Sequence, residues 1–301
     1  MKLRASIALV LVIALAAIST SSWSEYREST KLLLHTRSRV LKKEGDGSDK
    51  YVPVEKDVEW DPHHTALVIC DMWDAHWCQG AAGRVTELAA PVNKLAHRAR
   101  ELGVLVIHAP STCVDYYKDT PQRRLAQAAP FAKTPIPLSQ STRWGTRWCW
   151  PDPKREPELP IDDSDMGCDC PTKCEISSPW QRQIDLIAIE PADAISDDGQ
   201  EVFNLLTDRH IDNVLIVGVH LNMCVLGRSF AIRQMVKLGK NVVLVRDLTD
   251  TMYNHRMRPF VDHFTGTDLV VEHVEKYWCS TITSADLLGG EPFRFAKDAR
   301  E

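Results

Sequence analysis

Polar and apolar positions along the chain alternate between short apolar runs and longer helical stripes. Thr65–Cys70, Val104–Ile107, Leu186–Ile189, Val214–Val217, Val242–Val245 and Leu269–Val274 are runs of strand length with little polar interruption. Such continuity predicts strands buried on both faces, as in a parallel sheet covered by helices. Between the runs lie stripes of helical period. Leu88, Val92, Leu95, Ala96, Ala99 and Leu102 fall on one face and Gly103 ends it. A second helix is expected from a cap near Ser196 through Val202, Leu205 and Leu206, and a third from Cys224 to Leu238, closed by Gly239. Leu32-Leu33-Leu34-His35 and Tyr51-Val52-Pro53-Val54 read as peripheral strands separated by the charged stretch Lys42–Lys50. The whole predicts a three-layer α/β/α domain with a mostly parallel sheet of about six strands.

Two segments break the pattern. Residues 1–24 have a charged start at Lys2 and Arg4, an apolar core Ala5–Ile18, and small residues Ser22 and Ser24 before Glu25. That is the layout of a secretory signal, shorter in its apolar run than the roughly 20 residues a bilayer span needs. The other is an insertion at about residues 111–182, where nine of the 17 prolines fall between Pro130 and Pro179. Proline at that density argues against regular structure, while its tryptophans and cysteines argue against disorder. It leaves the sheet just after His108-Ala109-Pro110, at the ligand-facing edge, and is expected to form a cross-linked lid, the alternative being an insert that serves oligomer contacts. Residues 25–301 are read as one domain carrying this insertion.

Composition then narrows the partners. With 301 residues and 44% hydrophobic content the chain can bury one ample core, and its net charge of −5 turns more negative once the leader is removed. No basic block or stripe is visible, which excludes nucleic acid as a partner. The expected partner is a small-molecule substrate, with no membrane association after the leader is cut. Export also colours the nine cysteines. In an oxidising compartment Cys149, Cys168, Cys170 and Cys174 are candidates for disulfides. An odd count leaves a thiol over, and Cys224 is the candidate.

Cys224 follows the strand Val214–Val217 and Gly218 at a strand-to-helix turn, where a helix N-terminus would favour its thiolate. Asp71 ends another strand and should project from the same sheet edge. A carboxylate beside a thiol is the minimum of a base–nucleophile pair. These pieces, with Val242–Val245 running into Arg246-Asp247, resemble the isochorismatase-like cysteine hydrolases, which include the nicotinamidases; the resemblance covers roughly residues 60–110 and 183–290.

The resemblance implies a hydrolase acting on a non-peptide C–N bond of a small amide, with no required cofactor and usually a homo-oligomeric assembly. It makes Cys224 the nucleophile and Asp71 the base, sets Val219-His220 at the place of a cis peptide, and puts the oxyanion near the N–H groups of His220 and Cys224. The family's lysine belongs at the end of the third core strand, where this chain has Glu190 and no lysine or arginine between Arg182 and Arg209. A second carboxylate near Asp71 would have its pKa raised and could act as a general acid. It could instead share a cation with Asp71, or its presence could mark an impaired member. The nicotinamidase Asp-x-His metal pair is also missing after the second strand, whereas Asp74 and His76 after the first could bind a divalent transition metal. A ligand- or metal-binding protein without turnover, and hydrolysis without a covalent intermediate, are the alternatives.

Other residues invite weaker readings. Trp73, beside Asp71, is a candidate substrate contact. Arg228 lies one helical turn past Cys224 and could bind a substrate carboxylate or pair with an acid such as Asp247. Arg143, Trp144, Arg147 and Trp148 could wall a planar ligand or simply pack together. Cys168-Asp169-Cys170 with Cys174 has short spacing suggestive of a zinc knuckle but lacks a matching Cys/His pair, which in an exported chain favours disulfides. Asp162, Asp163, Asp165 and Asp169 around Gly167 could hold calcium, without the spacing of an EF-hand.

Overall fold

The structure, a computed structural model, describes residues 31–45 and 47–300; the expected leader, residues 1–24, lies outside them. The chain opens with a long hairpin, β1 (Leu32–Lys43) and β2 (Asp49–Trp60), and then alternates. β3 (Thr65–Cys70), α1 (Gln79–Leu102) and β4 (Leu105–Ala109) come first. The insertion follows, with α2 (Pro121–Ala128) and the short strands β5 (Thr142–Arg143) and β6 (Thr146–Arg147). β7 (Ala194–Ile195), α3 (Gly199–Asp208), β8 (Asn213–Val219), α4 (Ile232–Lys237), β9 (Asn241–Asp250), α5 (His263–Tyr277), β10 (Ser280–Ile282) and α6 (Ala285–Leu288) complete it.

The main sheet has eight strands in the order β2-β1-β10-β9-β8-β3-β4-β7. Its run from β10 to β7 is parallel throughout, and the β1–β2 hairpin adds an antiparallel edge. The parallel part thus has the expected six strands. Alternate residues feed two cores. Ala66, Val68 and Cys70 of β3 face α3, α4 and α5, while Leu67 and Ile69 face α1 and α6. These are the helical layers on either side, and each fully buried aliphatic side chain contributes about 1.5–3 kcal/mol to holding them there.

Two expected strands are corrected. Leu269–Val274 lies inside α5, where Val270, Val271 and Val274 form a helical stripe against the sheet; the last strand is β10, just after it. Leu186–Ile189 forms a turn, because a buried network takes its place at the sheet edge. Asp193 binds His108 at 3.0 Å and Arg100 at 2.8 Å, and the next two residues, Ala194 and Ile195, make the strand. The helix that follows is capped by Asp198 rather than Ser196. The insertion also carries more regular structure than its prolines suggest: Pro121 starts α2 instead of breaking it.

The expected helix from Cys224 to Leu238 is split. A π-type turn spans Leu221–Val225, the chain leaves helical form after Gly227, and α4 begins only at Ile232. The break arises where the insertion docks, with the Cys149 N–H donating to the Gly227 carbonyl at 2.7 Å.

Candidate active site

β3 and β8 lie side by side, with Cys70 opposite Gly218, so the residues that follow both strands emerge together. Gly218 has φ +102°, and a Cβ there would overlap the Cys70 carbonyl oxygen; only glycine lets the two strands close at this level. The Val219–His220 peptide is cis, where the resemblance expects it. Asp71 has φ 49°, a left-handed conformation that aspartate tolerates better than most residues. Its Oδ1 accepts the Ser111 N–H at 2.7 Å and its Oδ2 accepts Nε–H of Arg228 at 3.3 Å. The Cys224 thiol interacts with both Asp71 and Arg228. Thiol, carboxylate and guanidinium therefore meet, all three buried.

Arg228 is held from the insertion side as well. Its Nη1 donates to the carbonyls of Arg143 at 3.2 Å and Trp144 at 3.4 Å, and to the Thr146 hydroxyl. Trp148 packs over it with the ring centroid 5.5 Å from the guanidinium carbon. Burial alone would lower the Arg228 pKa, but Cys224 and Asp71 raise it, so the guanidinium stays charged. Burial pushes the Cys224 thiol well up; Arg228 pulls it down and Asp71 pushes it further up. The expected thiolate is thus not the resting state. The interrupted helix offers only a single turn behind Cys224, too little to offset complete burial.

Cys224 and Arg228 line a cavity of about 420 Å³, with Asp71 buried behind them, and its wall also includes Trp73, His76, Trp144, Trp180 and His220. Trp73 and Trp180 stack with centroids 4.3 Å apart and planes within 10°, and the Trp73 indole N–H donates to the Ser111 carbonyl at 3.2 Å. His220 is buried, and its Nε2 has no hydrogen-bond partner among the described residues. Burial, with His76 nearby, lowers the His220 pKa, so the ring is neutral. The insertion contributes Thr112, Trp144, Met166, Ile176, Ser177, Ser178 and Trp180 to the lining, consistent with the expected lid.

Glu190 must be withdrawn from the site. It is an exposed loop residue whose N–H donates to Asp193 at 2.6 Å and whose carbonyl accepts from Gln122 at 3.0 Å. Once the third strand is moved to β7, Ser196 and Asp197 follow it, so neither residue at that strand end is a lysine or arginine. Arg228 supplies the positive charge beside Asp71 instead. The signal in the sequence is its spacing of one helical turn from Cys224; it pairs with an acid, as one of its two readings had it, but the acid is Asp71 and not Asp247. Asp247 caps Ser284 and Phe293 elsewhere.

Asp74 and His76 are each engaged by backbone N–H groups. Asp74 Oδ1 accepts the Gln181 N–H at 3.0 Å, and His76 Nδ1 accepts the Cys78 N–H at 3.1 Å. Asp163 and Asp165 are engaged by Asn222 at 2.8 Å and Asn254 at 2.7 Å, which ties down the loop read as a calcium candidate. Arg143 lies 4.0 Å from the Trp144 ring centroid, so these residues pack together, and of Arg143, Trp144, Arg147 and Trp148 only Trp144 lines the cavity.

No protein-family model and no curated protein sequence matches the chain. Among solved structures it is similar to a cysteine hydrolase from Pseudomonas syringae pv. phaseolicola 1448A, with 17% identity over 75% of this chain and 92% of that one and a TM-score of 0.47. It is also similar to an isochorismatase from Pseudomonas putida KT2440, with 12% identity over 75% and 91% of the two chains and a TM-score of 0.43. A third is an isochorismatase family protein from Desulfovibrio vulgaris subsp. vulgaris str. Hildenborough, with 15% identity over 74% and 96% and a TM-score of 0.42.

Proposed function

We propose that the protein is a hydrolase that opens the C–N bond of a small, planar, non-peptide amide through a covalent intermediate on Cys224. The observation that carries this reading is the meeting of Cys224, Asp71 and Arg228, with Cys224 and Arg228 lining an aromatic-walled cavity and Asp71 behind them. Thiol and carboxylate form a nucleophile–base pair, and the guanidinium compensates the negative charge that the pair holds throughout. The stacked face of Trp73 and Trp180 suits a flat substrate, and the free Nε2 of neutral His220 offers it a hydrogen bond.

In this reading Asp71 takes the Cys224 proton as sulfur attacks the amide carbon. The carbonyl electron pair moves onto oxygen, toward the N–H groups of His220 and Cys224. The C–N bond then breaks, and the leaving nitrogen receives the proton from Asp71. Water attacks the resulting thioester while Asp71 accepts its proton, and the thiol re-forms as the acid departs. The proposed setting is outside the cytoplasm, as a homo-oligomer with a small-molecule substrate.

One observation favours a competing reading. The raised Cys224 pKa suits hydrolysis in which Asp71 activates water directly and the thiol only packs. Rapid-quench mass spectrometry with a panel of aromatic and heteroaromatic amides separates them. The covalent route requires an acyl adduct on Cys224 and loss of turnover in Cys224→Ala. Turnover surviving in Cys224→Ala would establish the non-covalent route, and neither turnover nor adduct across the panel would leave a binding protein.

A further inference from the structure

Three of the nine cysteines converge outside the candidate active site, and a fourth lies beside them. The sulfurs of Cys78, Cys168 and Cys170 all lie within 4.8 Å of one another, with Cys78 and Cys170 3.8 Å apart. The Cys174 thiol interacts with both Cys168 and Cys170. Cys78 is the member the sequence hides. It precedes α1 and lies 90 positions from the Cys168-Asp169-Cys170 knuckle, so no local spacing pairs the two.

We propose that Cys78, Cys168, Cys170 and Cys174 bind a zinc ion tetrahedrally and so clamp the insertion onto the start of α1. Four sulfurs at the usual Zn–S distance of about 2.3 Å stand about 3.8 Å from each other along the edges of the tetrahedron, the separation found between Cys78 and Cys170. Backbone N–H groups point at the sulfurs from both sides. The Gly80 N–H donates to Cys170 at 3.3 Å, that of Gln79 to Cys174, and that of Ala81 to Cys78. The N–H groups of Cys170 and Cys174 donate to Cys168. N–H donors to sulfur are the outer-shell arrangement that orients metal-bound cysteines.

The surroundings are built to match. Met166 and Gly167, both in the left-handed region, make the turn that delivers the knuckle. A Cβ on Gly167 would overlap the Met252 carbonyl, so the turn seats directly on the chain after β9. Arg84 pairs with Asp169 at 2.7 Å, and Arg256 donates to the Cys170 carbonyl at 2.8 Å, placing two cations beside a centre that would carry net negative charge. Tetrahedral sulfur donation selects zinc or iron over hard cations. The clamp reaches the active site on both arms. Trp73, His76 and Trp77 precede Cys78, while Met166, Ile176, Ser177 and Ser178 flank the knuckle, and all line the cavity.

The test uses the full chain purified without chelators. Elemental analysis should give one zinc per chain, and X-ray absorption should show four sulfurs at about 2.3 Å. Exchange with cobalt(II) should produce the strong visible bands of a tetrahedral thiolate complex. Cys170→Ser and Cys174→Ser should lose the metal, whereas Cys149→Ser, whose thiol lies apart beside Lys237 and Arg233, should keep it. If the serine variants fail to fold, the native protein's absorption spectrum still decides. Folded protein without metal and with these cysteines in disulfides would overturn the proposal, as would iron in place of zinc or nitrogen and oxygen ligands in the spectrum.

Discussion

Arg228 and Asp71 are 157 positions apart, yet the Arg228 Nε donates to the Asp71 Oδ2 at 3.3 Å with both side chains buried. Removing one partner of such a pair leaves an uncompensated buried charge, at a cost of about 3–5 kcal/mol. Arg228→Met and Asp71→Asn should each lower the urea midpoint strongly. The double variant should be destabilised by clearly less than the sum of the two. Additive losses would mean that the pair is not coupled in solution.

The Cys224 thiol is pushed up by burial, down by Arg228 and up by Asp71, so the two variants should move it in opposite directions. A higher pKa means less thiolate at a given pH. Iodoacetamide should therefore label native Cys224 slowly near pH 8 and faster as the pH rises. Asp71→Asn should speed labelling by about tenfold or more at fixed pH, and Arg228→Met should slow it, since one pKa unit is a factor of ten in thiolate. Turnover should fall in both. Mass spectrometry of the labelled peptide reads the rate, and equal rates in both variants would exclude electrostatic control of the thiol.

Trp180 stacks on Trp73 from the insertion, and both rings line the cavity. Trp180→Ala should raise KM for a planar amide by roughly two- to tenfold while changing kcat less, because aromatic contact energies of about 0.5–1.5 kcal/mol are lost in the bound ground state. Trp180→Phe should recover most of the affinity. A fall in kcat at unchanged KM would show that the stack acts on the reacting geometry instead.

Much of this could be read from the chain. The β3 and β8 runs, Gly218, Asp71, Cys224 and the cis position at Val219-His220 follow from local apolar pattern and turn chemistry, and the strands bring them together as expected. What failed was non-local. Leu186–Ile189 looks like a strand by composition, but His108 and Arg100 fix Asp193, so the edge strand starts just after it. Glu190 was misplaced with that strand. The helix after Cys224 was expected whole, and no local signal marks where the insertion hairpin splits it. Cys78 likewise belongs with Cys168 only once α1 and the insertion are docked.

Glu156 fastens the insertion to the helical layer formed by α4 and α5, and it offers a pH readout. It binds Arg233 at 2.7 and 2.8 Å, His273 at 2.8 Å and the Trp278 indole N–H at 2.9 Å. Burial alone would raise its pKa, but the bonds from His273 and Arg233 win and draw it down to about 2 from 4.5. Above pH 4.5 the carboxylate is ionised in both folded and unfolded chains, and its full contribution is present. Between 4.5 and about 2 the unfolded chain takes the proton first, so stability falls as the pH falls. The loss amounts to about 3 kcal/mol across that window. Urea midpoints at neutral pH and through the window should show this slope in the native protein. In Glu156→Gln the midpoint should be lower at neutral pH and the slope flatter, with the insertion cut sooner by protease. An unchanged slope would mean that Glu156 carries none of the acid sensitivity.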